Sequence, residues 1–261
     1  MMLAKIVEHK RHEVALAKEV RPMEVLRDRA KTLKPRRDFR GAVGRPHHLN
    51  LIAEIKQSSP TAGVIRQEVD PVQIAQIYQA AGAQALSILT DERFFGGHLG
   101  YLAQVRAVTT LPVLRKDFLI DLYQIYESAV AGADAVLLIA DLLGETELTE
   151  YVRVAGDLGL AALVEVHTEE DLQKALAAGA GLIGINNRDL HTFKVDRETT
   201  ARLIRHVPGV GRDHLVVAES GLRTHEDVMY VKSLGVHAVL IGEAFMAAQD
   251  IRVKVHEVMG R

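Results

Sequence analysis

Cysteine does not occur in this chain. Disulfides, thiolate metal sites and cysteine nucleophiles are therefore excluded, and a reducing compartment is expected. Tryptophan is absent as well. The longest apolar runs, such as Ala135 to Ala140, stop at an acid or a glycine, far short of the roughly 20 residues that a membrane-spanning helix needs. The opening MMLAKIVEHKRHEV breaks its apolar positions with charges and lacks the continuous apolar stretch of a signal peptide, so export is not expected and a cytoplasmic location is. The twelve histidines show no His-x-x-x-His spacing, and no metal site is expected.

What is present is unevenly distributed. Residues 1–47 carry a net charge of about +7 and the remainder about −9. The basic residues of that first segment fall in an amphipathic pattern with few aromatics. Such a pattern reads as a solvated helix face near an anionic ligand rather than a grip on nucleic acid, so neither a nucleic-acid nor a membrane partner is expected.

From residue 51 onward, eight short runs rich in aliphatic and β-branched residues recur at intervals of 21 to 34 residues: 51–56, 85–90, 112–117, 135–140, 161–166, 182–187, 215–220 and 238–243. A helix-length amphipathic segment follows each one. Nearly continuous apolar runs are what parallel strands covered on both faces require. Gly82, Gly132, Gly179 and Gly235 stand just ahead of strands, where a helix ends cheaply on a left-handed residue. Asp70-Pro71, Thr168 and Thr224 mark helix starts.

Eight such units predict a closed (β/α)8 TIM barrel over 49–261. An open doubly wound sheet would place a Gly-rich dinucleotide fingerprint after its first strand, and IKQSSPTAG is not one. Residues 1–48 form a predicted N-terminal helical extension, with helices over about 3–19 and 22–33 and an irregular segment after them, packed against one end of the barrel.

In this architecture chemistry sits at the C-terminal ends of the strands. The polar residues there are Glu54 and Lys56, Lys116, Glu165, Asn186, and Glu219 with Ser220. Residues two apart share a face of a strand, so Glu54 and Lys56 point the same way. Burying both under helices would cost several kcal/mol per unpaired ion, which directs them to the barrel mouth. Lysines crowded against carboxylates there would be tuned for acid–base work. The glycine-containing loops at 58–63, 220–222 and 242–245 are candidates for phosphate recognition by backbone N–H groups.

The segments LIAEIKQSSPTAG, LTDERFFGG, PVLRKDF, LVEVHTEEDL, IGINNRDL, VAESGL and VLIGEAFM, in this order along the chain, resemble indole-3-glycerol-phosphate synthase. The resemblance implies a decarboxylating lyase of tryptophan biosynthesis that needs no cofactor. Its small-molecule sugar-phosphate substrate would be 1-(2-carboxyphenylamino)-1-deoxyribulose 5-phosphate. It further implies Lys116 as general acid, Lys56 as carboxylate anchor and proton donor for dehydration, and Glu165 as general base. Glu54, Asn186, Glu219 and Ser220 would position these groups. Ser59, Gly221, Gly242 and the backbone of Glu243 would contact phosphate, and Phe95, Phe118 and Arg188 would hold the ring and carboxylate. A monomer or weak homodimer is expected.

Two other readings stay open at this point. One is a different sugar-phosphate barrel enzyme, either an isomerase or a Schiff-base aldolase using Lys116. The other is a non-catalytic phosphate-binding barrel.

Overall fold

A computed structural model describes residues 2–261. Eight parallel strands, β1 (Asn50–Ile55), β2 (Ala85–Leu89), β3 (Val113–Lys116), β4 (Ala135–Ile139), β5 (Ala161–Val166), β6 (Leu182–Asn186), β7 (Leu215–Glu219) and β8 (Ala238–Ile241), pair in sequence order. β8 closes on β1 through the register Asn50↔Ala238. The predicted barrel is therefore the observed one, with every strand within two residues of its predicted bounds. A two-stranded hairpin, Ser58–Ser59 with Gly63–Val64, sits in the loop after β1.

Alternation along each strand sorts the apolar residues into two layers. Leu51, Ala53 and Ile55 of β1 face the surrounding helices, whereas Ile52, Leu114, Leu137, Leu163, Val217 and Leu240 fill the interior. Both faces are buried, which is why the strands appear as unbroken apolar runs. The helices start where the side chains dictate. Asp70 accepts from the backbone N–H groups of Val72 and Gln73 ahead of Pro71, and Thr168 and Thr224 form capping boxes with Asp171 and Asp227. The four glycines expected to end helices all have positive φ. Among the described residues no helix is long and apolar enough to cross a membrane.

The N-terminal extension differs from expectation. α1 (Met2–Val20) and α2 (Met23–Ala30) are followed by a further short helix, α3 (Phe39–Val43), where irregular chain was expected. Asp38 caps it by accepting from the Gly41 N–H at 2.7 Å. Five residues are too few to show a helical period in sequence.

The extension also reaches both ends of the barrel. Phe39 and Val43 join the interior core from the side where the strands begin. There Asn50 Nδ2 donates to Val43 O at 2.9 Å and Arg40 donates to the carbonyls of Gly181 and Asp213. At the opposite end Leu3 and Ile6 of α1 enter the mouth. In between, Val14 and Leu26 pack on Tyr123, whose hydroxyl donates to Ala17 O and Arg21 O, each at 3.0 Å. Leu3, Ile6, Lys10 and Val14, the buried residues of α1, fall at the three- and four-residue spacing of one helix face.

Candidate active site

The inward alternation that fills the interior with aliphatic side chains ends, strand by strand, in polar ones. Glu54, Lys116, Glu165, Asn186 and Glu219 close the inward rows of β1, β3, β5, β6 and β7, and with Lys56 they line one cavity of about 290 Å³ at the mouth. Lys56 Nζ lies 2.7 Å from Glu54 Oε1. Lys116 Nζ lies 3.3 Å from Glu165 Oε2 and 4.0 Å from Glu219 Oε2. A (β/α)8 barrel carries its reactive groups at this rim because the loops converge there over a filled core.

These charges set one another's proton affinities. Burial works against the Lys116 ammonium, yet Glu165, Glu219 and Glu54 outweigh it and hold its pKa above the ordinary lysine value. Burial likewise pushes Glu165 upward, but Lys116 and His167 reverse this, with Asn186 hydrogen bonding, and Glu165 lies below the usual carboxylate range. Glu219 goes the other way. Its burial and the neighbouring Glu165 charge raise it well above that range. The resting site therefore holds a charged lysine, an ionised Glu165 and a Glu219 that retains its proton more readily than a free carboxyl. Glu165 Oε1 and Glu219 Oε1 are buried and have no hydrogen-bond partner.

Close packing fixes two glycines. A Cβ on Gly242 would come within 2.5 Å of Glu54 Oε1, and one on Gly184 would collide with the Glu219 carboxylate. Backbone at these points makes room for the carboxylates.

The far side of the same cavity is lined by Ser59, Ser220, Gly221, Gly242 and Glu243. Ser220 has φ +64° and Gly221 +75°, so two consecutive residues take the left-handed conformation. A non-glycine residue pays strain there. The Glu243 side chain turns neither into the cavity alone nor to open solvent: Arg188 Nη2 donates to its Oε2 at 3.4 Å, and Arg223 donates to Oε1. Arg188 also donates to Phe193 O at 3.2 Å.

An apolar wall completes the space. Phe95 and Phe118 have ring centroids 5.9 Å apart, with Leu137 and Ile139 beneath them and Leu3 and Ile6 of α1 alongside. The fourteen residues singled out from sequence thus border a single cavity. Leu3, Ile6 and Arg223, which also border it, were not singled out. The two apolar ones carry no polar signal, and Arg223 is one arginine among many. Arg115, beside Lys116, faces outward instead and is fully buried, donating to Glu127 and Ser128.

A closed (β/α)8 barrel with paired lysines and carboxylates, glycine-bearing loops and an apolar slot at one rim has the architecture of barrel enzymes that act on small molecules. Residues 3–258 match the protein family described as Indole-3-glycerol phosphate synthase. The curated proteins of that name include one from Caldanaerobacter subterraneus, 51% identical over 97% of this chain and 96% of its own. Another, from Roseiflexus castenholzii, is 48% identical over 100% of this chain and 98% of its own. Among solved structures, thiamine phosphate pyrophosphorylase from Pyrococcus furiosus superposes with a TM-score of 0.59 over 80% of this chain and 93% of that one. At 19% identity it shows the fold alone. The chain belongs to the indole-3-glycerol phosphate synthase family, and so to the carboxy-lyases of tryptophan biosynthesis.

Proposed function

We propose that this chain closes 1-(2-carboxyphenylamino)-1-deoxyribulose 5-phosphate into indole-3-glycerol phosphate, releasing carbon dioxide and water. The observation that carries this reading is the placement of Lys116 against Glu165 in a cavity that is also lined by Phe95 and Phe118 and by the glycine-bearing loops at Gly221 and Gly242. The substrate has one feature for each part: a benzene ring, a phosphate and carboxylate, and a carbonyl oxygen that becomes negative.

In the first step the ring carbon bearing the carboxylate attacks the carbonyl carbon, and Lys116 gives its proton to the oxygen. Loss of carbon dioxide returns an electron pair to the ring. Lys56 then protonates the departing hydroxyl, which leaves as water, while Glu165 removes the proton whose loss makes the indole aromatic. Two protons are supplied and one is recovered, so each turnover consumes one proton from solvent. The steps are acid–base throughout, and no cofactor is proposed.

The order of the steps suits the coupled charges. Once Lys116 has surrendered its proton, the cation that depresses Glu165 is gone, and Glu165 becomes a stronger base when a base is needed. Ser59 and the backbone of Gly221, Gly242 and Glu243 would receive the phosphate, and Arg188 the carboxylate. A Schiff-base aldolase needs a neutral lysine nucleophile, which the upward shift of Lys116 opposes. Incubating the purified protein with the carboxyphenylamino substrate should produce indole fluorescence; its absence under saturating substrate would defeat the proposal.

A further inference from the structure

β5 carries a second polar side chain beyond Glu165. His167 follows two residues later and so leaves the strand on the same face. Its Nε2 stands 3.4 Å from Glu165 Oε1. Both atoms are shut off from water, and neither has a hydrogen-bond partner. The opposite oxygen, Oε2, receives the Lys116 ammonium. One edge of the carboxylate thus meets the cation of the cavity, and the other meets an imidazole that is not part of the cavity lining.

The histidine is itself anchored at its root. Its backbone N–H donates to Asp171 Oδ2 at 3.2 Å, within the capping box that opens the helix Glu169–Ala177. The ring therefore projects from a rigid junction between strand and helix.

We propose that His167 is a positioning residue for the reaction: by donating Nε2–H to Glu165 Oε1 it fixes the rotation of that carboxylate and keeps Oε2 directed at Lys116 and the substrate. The inference rests on the reading of Glu165 as general base. The last torsion of a glutamate is broad and roughly two-fold, so a carboxylate held on one side only would sample orientations that miss the proton it must take. Misplacing a reacting group by about 1 Å can cost on the order of a hundredfold in rate. Hydrogen bonds of this kind are often long before substrate binds and tighten in the complex, in keeping with the 3.4 Å separation.

The test compares His167→Ala with His167→Gln, whose amide N–H2 can reach the place of Nε2. The alanine variant should lose about tenfold or more in kcat with KM within about threefold of the unaltered protein, and the glutamine variant should recover to within about threefold in kcat. An alanine variant with undiminished kcat would overturn the inference. So would a glutamine variant as slow as alanine, or a loss confined to KM. Should the alanine variant melt below the assay temperature, His167→Leu, which fills the ring's space without a hydrogen-bonding atom, takes its place. The unaltered protein is assayed alongside: turnover there with an indifferent His167 removes this inference alone, whereas no turnover there removes the reading of Glu165 with it.

Discussion

Lys10 of α1 and Asp117, just past β3, lie 2.9 Å apart, and neither side chain is reached by solvent. Asp91 Oδ2 approaches the same ammonium at 3.1 Å and Glu13 at 2.9 Å. Asp117 also receives Thr90 Oγ1 at 2.5 Å and Arg115 Nη2 at 3.1 Å. The extension is thereby tied by charge to the loops that follow β2 and β3, next to the segments that carry Phe95 and Phe118.

Replacing Lys10 by methionine would keep its volume and leave Asp91 without its buried cation and Asp117 with Arg115 alone. Removal of one partner from a buried ion pair costs about 3–5 kcal/mol. Urea unfolding of Lys10→Met should show a loss of that order; a loss under about 1 kcal/mol would mean that water or a rearranged partner compensates.

Acid should weaken the same network in a defined window. Asp117 sits against the cost of its burial, yet Arg115 and Lys10 draw its carboxyl down to about 2, below its ordinary value of 3.8. A carboxyl lowered on folding stabilises the folded state above its unfolded pKa and loses that contribution as pH falls through the folded one. Stability worth about 2 kcal/mol should therefore disappear between about pH 4 and pH 2. The slope of unfolding free energy against pH in that window should flatten in Asp117→Asn by about one proton; an unchanged slope would place the titration elsewhere.

Lys116→Ala should abolish turnover while leaving substrate affinity within about tenfold, or roughly 1.4 kcal/mol. The reason lies in the proposed role: the lysine is held charged beside Glu165 and would give up its proton as the carbonyl oxygen gains charge. Turnover and direct binding measured on one preparation decide the matter, and undiminished turnover removes Lys116 from the chemistry.

Glu243 places a negative charge beside the loops assigned to phosphate, neutralised by Arg188 and Arg223. Glu243→Gln should relieve repulsion of the incoming dianion and free both arginines. Inorganic phosphate, used as a competitive inhibitor, should then bind about three- to tenfold more tightly. Weaker binding in the variant would show instead that the glutamate is needed to hold the arginines in place.

Much of the architecture was legible because its physical causes are local. An apolar run that follows a helix-ending glycine specifies a strand without knowledge of the rest of the chain, and β4 and β6, which follow Gly132 and Gly179, are read this way directly. Alternation directed Glu54 and Lys56 to the mouth, and position at the ends of β5 and β7 directed Glu165 and Glu219 there. Lys10 was not legible. On a helix with Arg11 and Glu13 beside it, it looks like one more solvated charge, and only Asp91 and Asp117, brought close by the barrel's closure, explain its burial. His167 was passed over because a histidine two residues after a glutamate has no spacing that distinguishes it. α3 escaped because its contacts are to strand beginnings scattered through the chain.

The threading of the opening segment from mouth to base also bears on the order of assembly during synthesis. α1 is synthesised before the acids that neutralise Lys10, and Arg40 before the carbonyls that receive it. An ammonium destined for a dry interior has no favourable resting place until those counter-ions exist. α1 can therefore bury Lys10 only once β2 and β3 have brought Asp91 and Asp117 together.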